Sequence, residues 1–408
     1  MTLDWISQDG KLLLWARTVR TFSYGFLSVI LAIYLKLIGF NEILIGVVLT
    51  ATLVNSVIFN LLSSAYADRI GRKKILTLYA VLMVISAVIF FFTNNYVALI
   101  IAALIGTINV TGSEVGAFLS LEQAILPQTV NNIKKRNSIF ALYNMVGTFA
   151  MSGGVLVSGL PSFLEQHYGL DQISAIKTLF VFYAILALVV MAIYLILSKG
   201  VEIQPKNGQS IPQNKISPQT RGIITKLSSL FAVDSFGGGF VIQSIVAFWF
   251  YSRFGADLTT LSYIFSAAGV LTAVSFLLAT KIASKIGLVN TMVFTHIPSN
   301  ILLILLAFAP NFSVGILLYL ARMSLSQMDV PTRQSYIVAI VNENERVAAA
   351  GITNTSRNVA QAVSPSLAGV VIQILSLSAP FVVGGILKIA YDIGIFASFR
   401  KIKPPEEI

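Results

Sequence analysis

The chain has 408 residues, of which 56% are hydrophobic and only 11% are charged. Soluble domains carry about 25% charged residues, so this composition excludes a soluble fold and predicts a protein that crosses a membrane many times. The net charge of +11 does not indicate nucleic-acid binding, because the basic residues lie between apolar segments, where anionic lipid is their expected partner. Without cysteine, the sequence offers neither disulfides nor thiolate metal sites.

Six apolar spans are predicted in the first half of the chain, each near the roughly 20 residues that cross a bilayer. The uncharged stretch over residues 75–113 is too long for one helix, and the polar residues at 93–95 divide it in two. The fourth span carries Glu114 and ends near Glu122. The outer loop expected after the fifth span holds Glu165, His167 and Asp171. The remaining spans are Leu12–Leu35, Ile43–Leu62, Asn137–Leu160 and Thr178–Ser198.

The second half repeats this pattern after Val201–Gly222, a polar segment with three prolines that predicts a flexible linker. The predicted spans are Ile223–Tyr251, Leu258–Thr280, two spans broken at Pro310-Asn311 that end near Arg333, Val347–Leu375 and Ala379–Phe399. The sequence therefore predicts an all-α membrane protein with twelve transmembrane helices. We expect two pseudo-symmetric six-helix bundles over residues 1–199 and 223–408, joined by a cytoplasmic linker over residues 200–222.

The distribution of basic residues predicts the orientation in the membrane. Eighteen lysines and arginines fall in the loops assigned to the inside, and only Lys36, Lys177 and Arg253 fall in the outer loops. Because basic loops stay on the cytoplasmic side, both termini are predicted to be cytoplasmic. The predicted location is the plasma membrane.

The short loop between the second and third spans reads SAYADRIGRKK over residues 64–74. A tight turn here would use Asp68 as an acceptor, Gly71 for the bend and Arg72 as a donor. The spacing of Asp68, Arg69, Gly71 and Arg72 resembles the loop motif between helices 2 and 3 of the major facilitator superfamily, although Ser64 stands where that motif usually opens with glycine. The resemblance implies a secondary transporter that works by alternating access, with Asp68 gating the inner mouth.

Catalytic signatures are not found in the sequence. It has no G-x-x-x-x-G-K-[ST] run, no H-E-x-x-H and no G-x-S-x-G, and its two histidines are too few for a familiar metal cluster. We therefore predict that the protein is not an enzyme and needs no cofactor or metal. His296 is expected to be a packed, hydrogen-bonded residue.

Ionisable residues inside the spans are the candidates for function, since a charge at mid-membrane costs about 2.5–3.5 kcal/mol unless it faces a cavity or a partner. The resemblance implies that helices 1, 4, 7 and 10 line the central cavity, and each of these spans carries such a residue. The predicted substrate and proton residues are Arg20, Glu114, Asp234 and Arg322, with the aromatic residues Phe22, Phe236 and Phe240.

Each of these charges has a structural interpretation beside the functional one. Asp234 is expected either to exchange protons or bind substrate, or to be a fixed partner of Arg322. Lys388 and Asp392 are four residues apart on one helix and are expected to neutralise each other. Charge pairs at cytoplasmic helix ends are expected to gate the inner mouth, and the residues predicted for them are Glu122, Arg136, Asp329, Arg333 and Arg346.

The function predicted from these features is proton-coupled export of a small, partly apolar organic compound by a monomeric transporter. The alternative within transport is uptake of a metabolite such as an organic anion, with Arg322 and Arg20 as anchors. A scaffold or receptor that transports nothing is the alternative outside transport. The internal charges argue against it, because a scaffold gains nothing by burying them.

Overall fold

A computed structural model describes residues 5–113, 116–130, 136–202, 217–342 and 345–402 of the chain. These residues form sixteen α-helices and no extended strand. The helices are α1 Gln8–Leu37, α2 Glu42–Ile70, α3 Arg72–Phe92, α4 Tyr96–Ile105, α5 Ala117–Ile125, α6 Arg136–Val157, α7 Leu160–Tyr168, α8 Gln172–Ile196, α9 Pro218–Gly239, α10 Gln243–Phe254, α11 Leu258–Ile286, α12 Leu288–Ala307, α13 Phe312–Leu325, α14 Asp329–Ile340, α15 Arg346–Ile374 and α16 Ala379–Phe399.

The sixteen helices make twelve membrane segments, because four of the segments are each built from two helices. The divided segments are α4–α5, α6–α7, α9–α10 and α13–α14. Within the described residues, nine segments are long and apolar enough to span a membrane by length and composition. The other three are α4–α5, α13–α14 and the more polar α15. The predicted all-α membrane fold is confirmed, and the count of twelve agrees with it.

Helix breakers in the sequence end the helices where the apolar pattern predicted. Helix α3 ends at Phe92, and Asn95 begins α4 by accepting the backbone N–H of Ala98 at 3.1 Å. Asn311 caps α13 in the same way, through the N–H of Val314 at 3.0 Å. Short polar side chains favour such positions because they satisfy donors that the first helical turn leaves without partners.

Two predicted boundaries are wrong. The fourth span is not continuous: residues 106–113 and Gly116 are not helical, with positive φ angles at Gly112 and Gly116, and Glu114 lies outside the described residues. The outer loop predicted to hold Glu165 and His167 is instead helix α7. Pro161 lies in the first turn of α7, where its missing N–H costs nothing, so the proline begins a helix here rather than ending one.

The basic loop over residues 64–74 is shorter than predicted, since only Gly71 interrupts the helices. Its φ of 109° is a conformation that glycine adopts without strain. Arg72 Nε donates to Asp68 Oδ1 at 2.9 Å, while Arg69 is exposed. The Glu202 carboxylate accepts the backbone N–H of Arg72 at 2.7 Å and that of Lys73 at 3.2 Å, and so caps α3.

The described chain divides into two compact units. The first comprises Met1–Lys206 and Ile242–Ser266, and the second comprises Asn207–Val241 and Ala267–Ile408. Helix α10 belongs to the first unit, where Ser244 Oγ donates to the carbonyl of Ser28 at 2.7 Å. The predicted linker over residues 200–222 falls mostly outside the described residues, so the boundary between the predicted bundles stays a prediction.

Each unit has an apolar core that surrounds its buried charges. In the first unit the rings of Tyr34, Phe90 and Phe180 lie within 6.5 Å of one another, and α1 is buried along most of its length. In the second unit the core includes Phe231 and Tyr391, whose rings are 6.1 Å apart. Because lipid is as apolar as these side chains, close packing rather than exclusion of water holds membrane helices together.

Candidate functional site

The main charged cluster lies in the second unit, around Asp234 of α9. Asp234 is 3% exposed. Lys388 Nζ donates to its Oδ1 at 2.5 Å, and Arg357 Nη1 donates to its Oδ2 at 3.1 Å. Arg333 Nη1 is 3.7 Å from Oδ2, and His296 Nε2 is 3.9 Å from Oδ1. Four basic side chains from α12, α14, α15 and α16 therefore converge on one carboxylate.

His296 of α12 joins this carboxylate to a second one. Its Nδ1 lies 2.7 Å from Asp392 Oδ1, and Asn300 Nδ2 donates to Asp392 Oδ2 at 2.9 Å. Both His296 and Asp392 are almost completely buried. The imidazole thus faces Asp392 with one ring nitrogen and Asp234 with the other.

These contacts correct two predicted pairings. Lys388 and Asp392 do not neutralise each other, because Lys388 bonds to Asp234 while Asp392 bonds to His296 and Asn300. Asp234 is not paired with Arg322 either. The spacing of Lys388 and Asp392 places both on one face of α16, but their hydrogen-bond partners come from the neighbouring helices α9 and α12. His296 and Asn300 are four residues apart, as Lys388 and Asp392 are, and those matching polar pairs were a signal that the sequence contained.

Asp329 and Arg333 form a pair within α14, with Arg333 Nη1 2.5 Å from Asp329 Oδ2 and both side chains buried. They were predicted as a gate at a helix end, and the structure places Arg333 beside Asp234. Glu345, which precedes α15, accepts the backbone N–H of Ser217 at 2.5 Å, at the start of α9. Hydrogen bonds from Thr220 and then Ser217 hold the pKa of Glu345 below its ordinary value.

Arg322 of α13 is buried, and no acidic partner for it is found in the described part of the chain. It is 7% exposed, and within the described residues no carboxylate lies within 4.0 Å of it. Its Nη1 donates to the thioether sulfur of Met323 at 3.3 Å, and its Nε has no hydrogen-bond partner. Asp234 is near enough to act on it electrostatically. A thioether is a weak acceptor, so this guanidinium retains most of its hydrogen-bonding capacity.

The first unit holds a separate buried pair, Arg20 with Glu122. Arg20 Nη1 and Nη2 donate to Glu122 Oε1 and Oε2 at 3.0 and 2.6 Å, and neither side chain is exposed. The hydroxyls of Tyr194 and Tyr143 also donate to this carboxylate, at 2.7 and 2.5 Å. The Phe118 ring lies 4.5 Å from the Arg20 guanidinium carbon. This bidentate arrangement satisfies both charges.

Glu122 was predicted to gate the inner mouth from a helix end, and that role stays a prediction. Its partner is Arg20, which is buried with it, and the side chain of Arg136 lies outside the described residues. Glu114, predicted with Arg20 as a substrate and proton residue, also lies outside them. Because Glu122 satisfies Arg20, Arg20 is a poor anchor for an anionic substrate.

The predicted aromatic residues pack within their own units. Phe22 meets Phe182 edge to face at 6.4 Å, and Phe236 meets Phe240 in the same way at 5.5 Å. Phe240 is buried, and the other two predicted residues are half-buried. A cavity of about 720 Å³ in the first unit has Phe182 in its wall, but Phe22 does not line it.

Residues 13–329 match the sequence model of the Major Facilitator Superfamily. The chain belongs to the major facilitator superfamily. The resemblance read from the Asp68 motif is therefore confirmed, and the fold is that of secondary transporters.

Relatives of this superfamily member include the uncharacterized membrane protein YJR124C of Saccharomyces cerevisiae. The two are 28% identical over 424 residues, which cover 96% of this chain and 94% of that one. Among solved structures, a point mutant of the nucleoside transporter NupG has a TM-score of 0.76 at 16% identity, covering 96% of this chain and all of that one. The D-xylose-proton symporter has a TM-score of 0.71 at 16% identity, covering 95% and 97%.

Within this superfamily fold, the two buried clusters differ in what they can do. The pair of Arg20 and Glu122 is closed, since every charged oxygen has a short partner. The cluster around Asp234 is open in two respects: it contains an imidazole between two carboxylates, and Arg322 lies near it without an acidic partner in the described chain. Ionisable residues inside membrane spans are typical of substrate and proton pathways.

Proposed function

We propose that this secondary transporter couples the movement of a small organic solute to protons, and that His296 with Asp392 carries the proton. The observation behind the proposal is the buried imidazole, 2.7 Å from Asp392 and 3.9 Å from Asp234. Histidine is the side chain that gains and loses protons most readily between pH 5 and 8. The same fold serves a D-xylose-proton symporter, which supports its use in proton coupling.

Asp234 is a poorer choice for the proton carrier. Lys388 and Arg357 contact it directly, and Arg333 lies at 3.7 Å. Opposite charges within about 4–6 Å favour the charged form of a carboxylate. We therefore assign Asp234 a positioning role, in which it holds three cations of the second unit beside His296.

Export is the direction we propose, as the sequence analysis does, with uptake of an organic anion as the second candidate. The observation that favours the second candidate is Arg322, a buried cation with no carboxylate within 4.0 Å in the described part of the chain. The two directions predict opposite signs of proton movement. When a solute is added outside the vesicles, an uptake symporter carries protons in with it. An export antiporter moves protons out as the solute enters.

The Asp68 turn is the gate that we propose. The bond of Arg72 Nε to Asp68 at 2.9 Å and the capping of α3 by Glu202 tie the ends of α2 and α3 together. Asp68→Asn should slow turnover and leave ligand affinity unchanged. A loss of affinity with unchanged accessibility would contradict a gating role.

The orientation we propose has both termini on the cytoplasmic side of the plasma membrane, as the distribution of basic residues requires. The chain has no cysteine, so single cysteines at His167 and Gly208 can be labelled without background. Impermeant maleimide added to intact cells should label position 167 and not position 208. The reverse pattern would invert the topology.

The test of coupling uses purified transporter in proteoliposomes that contain a pH-sensitive dye. A panel of small organic solutes is added, and the solute that moves protons is taken forward with His296→Gln. This variant should lose transport driven by a pH gradient but keep solute exchange at equal pH, because only the proton carrier is removed. Uphill transport by His296→Gln at the wild-type rate would refute the assignment.

The matched control is His167→Gln. His167 is the other histidine of the chain, and it is exposed on α7 with its Nδ1 3.1 Å from the carbonyl of Phe163. Its substitution should leave both gradient-driven transport and exchange unchanged. Asp392→Asn serves as a second variant, which should also lose gradient-driven transport. Melting temperatures show whether either variant of the buried pair has lost its fold.

A further inference from the structure

Among the described residues, the cations around Asp234 each contact a carboxylate, and Arg322 is the exception. Arg333 contacts Asp329, and both Arg357 and Lys388 contact Asp234. Arg322 is as buried as Arg333 and Lys388, but within the described residues it donates only to the sulfur of Met323, and its Nε has no partner there. A charge removed from water without a partner is costly, so its retention calls for an external one.

The charged residues of this cluster also include more cations than carboxylates. Among the described residues, four cationic side chains of this cluster meet three carboxyl groups. Its cations are Arg322, Arg333, Arg357 and Lys388, and its anions are Asp234, Asp329 and Asp392. The missing charge is therefore a single negative one. The first unit offers no equivalent position at Arg20, since Glu122 already binds both ends of that guanidinium.

We propose that Arg322 binds the negative group of the transported solute, and that the solute is a small organic monoanion such as a carboxylate. This inference rests on the proposed transport function and adds the class of substrate. A planar guanidinium matches a carboxylate in shape and can donate two parallel hydrogen bonds to it. The bond from Nη1 to the Met323 sulfur is weak, and a carboxylate oxygen replaces it with a charge-assisted bond.

The position of Arg322 also explains how an anion communicates with the rest of the cluster. Asp234 is within electrostatic range of Arg322, and the α12 residue Ser299 donates to the Arg322 backbone carbonyl at 3.5 Å. Without a solute, the positive charge of Arg322 adds to the attraction that Lys388 and Arg357 exert on Asp234. A bound anion screens that charge and leaves Asp234 to Lys388 and Arg357.

The test measures binding to the full purified chain in lipid nanodiscs at equal pH on both sides. The probes are three benzene derivatives of one size, namely benzoate, benzamide and benzylamine, together with lactate and its amide. Binding is read by calorimetry and by the shift in melting temperature. We expect the wild type to bind a carboxylate in preference to its amide or amine, and Arg322→Gln to weaken that binding about tenfold or more.

Two further variants separate anion binding from structural effects. Arg322→Lys keeps the charge but not the forked donors, so it should retain an intermediate affinity. Arg253→Gln removes an exposed arginine of α10 and should bind like the wild type. Without any probe, Arg322→Gln should melt no lower than the wild type, because it removes a charge that has no acidic partner in the described chain.

Equal carboxylate binding by the wild type and Arg322→Gln would overturn the inference, as would a wild type that binds no carboxylate of the panel. A much lower melting temperature of Arg322→Gln without probe would also overturn it, by showing that Arg322 has a structural partner. The coupling test stands apart: loss of carboxylate binding in Arg322→Gln, with gradient-driven transport intact in His296→Gln, would refute the proton assignment alone.

Discussion

Replacement of Asp234 by asparagine tests the central charged cluster most directly. In the wild type, Lys388 and Arg357 lie 2.5 and 3.1 Å from the Asp234 carboxylate oxygens. The change removes the negative charge and leaves both cations beside a neutral amide. Removing one partner of a buried ion pair costs about 3–5 kcal/mol. The Arg357 side chain is 22% exposed and can partly rehydrate, so we expect a loss near the lower end, about 3 kcal/mol.

The Lys388 side chain is only 10% exposed, so it bears most of this cost. Lys388→Met removes the stranded charge and keeps the apolar stem. The double variant Asp234→Asn with Lys388→Met should therefore recover about 2 kcal/mol relative to the sum of the single variants. The free energies of unfolding come from titration with sodium dodecyl sulfate in mixed micelles, and thermal midpoints should give the same order.

The matched control is Asp257→Asn. Asp257 is exposed and accepts the backbone N–H of Thr260 at 2.6 Å, a bond that asparagine can also accept. This control should change stability by less than about 0.5 kcal/mol. The reasoning fails if Asp234→Asn is as stable as the control, or if Lys388→Met adds its own full cost to that of Asp234→Asn.

Two more predictions concern the ends and the interior of the helices. Glu122→Gln should lower the free energy of unfolding by about 3–5 kcal/mol, because it leaves the buried Arg20 without its carboxylate. Asp68→Asn changes an exposed carboxylate and should lower it by at most about 1 kcal/mol. Thermal unfolding measures which of the two variants is less stable. Glu345 stabilises the start of α9 in its ionised form. The hydrogen bond from the Thr220 side chain, followed by that from the Ser217 backbone, lowers the pKa of Glu345 below 4.5. Its contribution is complete above pH 4.5 and is lost as the pH falls through the lowered pKa, so Glu345→Gln should flatten the acid side of the stability profile. An acid limb that is unchanged in Glu345→Gln would remove this residue from the pH dependence.

The Asp68 motif identified the superfamily correctly, because such a motif depends only on residues that are close together in the chain. The Asp68 motif is read within a few residues of the chain, and Gly71 breaks the helix there because of its own conformational freedom. The short loop predicted over residues 64–74 is reduced to Gly71 alone for a different reason. Charged side chains at the ends of α2 and α3 are compatible with helix when Arg72 reaches back to Asp68, four residues earlier.

The sequence by itself determined the membrane class, the membrane spans, most of their ends and the charges that must be buried. These features follow from the length of apolar runs and from capping residues such as Asn95 and Asn311, which act on their nearest neighbours. An ionisable residue inside a span is visible in the sequence, but its partner is not.

Only the tertiary structure decided which charges meet. Arg20 and its partner Glu122 are 102 residues apart in the chain, and Asp234 and Lys388 are 154 residues apart. No local preference links such positions, because the pairing depends on which helices pack together and on the rotation of each helix about its axis. The packing of α16 against both α9 and α12 brought Asp234 to His296 rather than to Arg322, and left Arg322 without an acidic partner in the described chain.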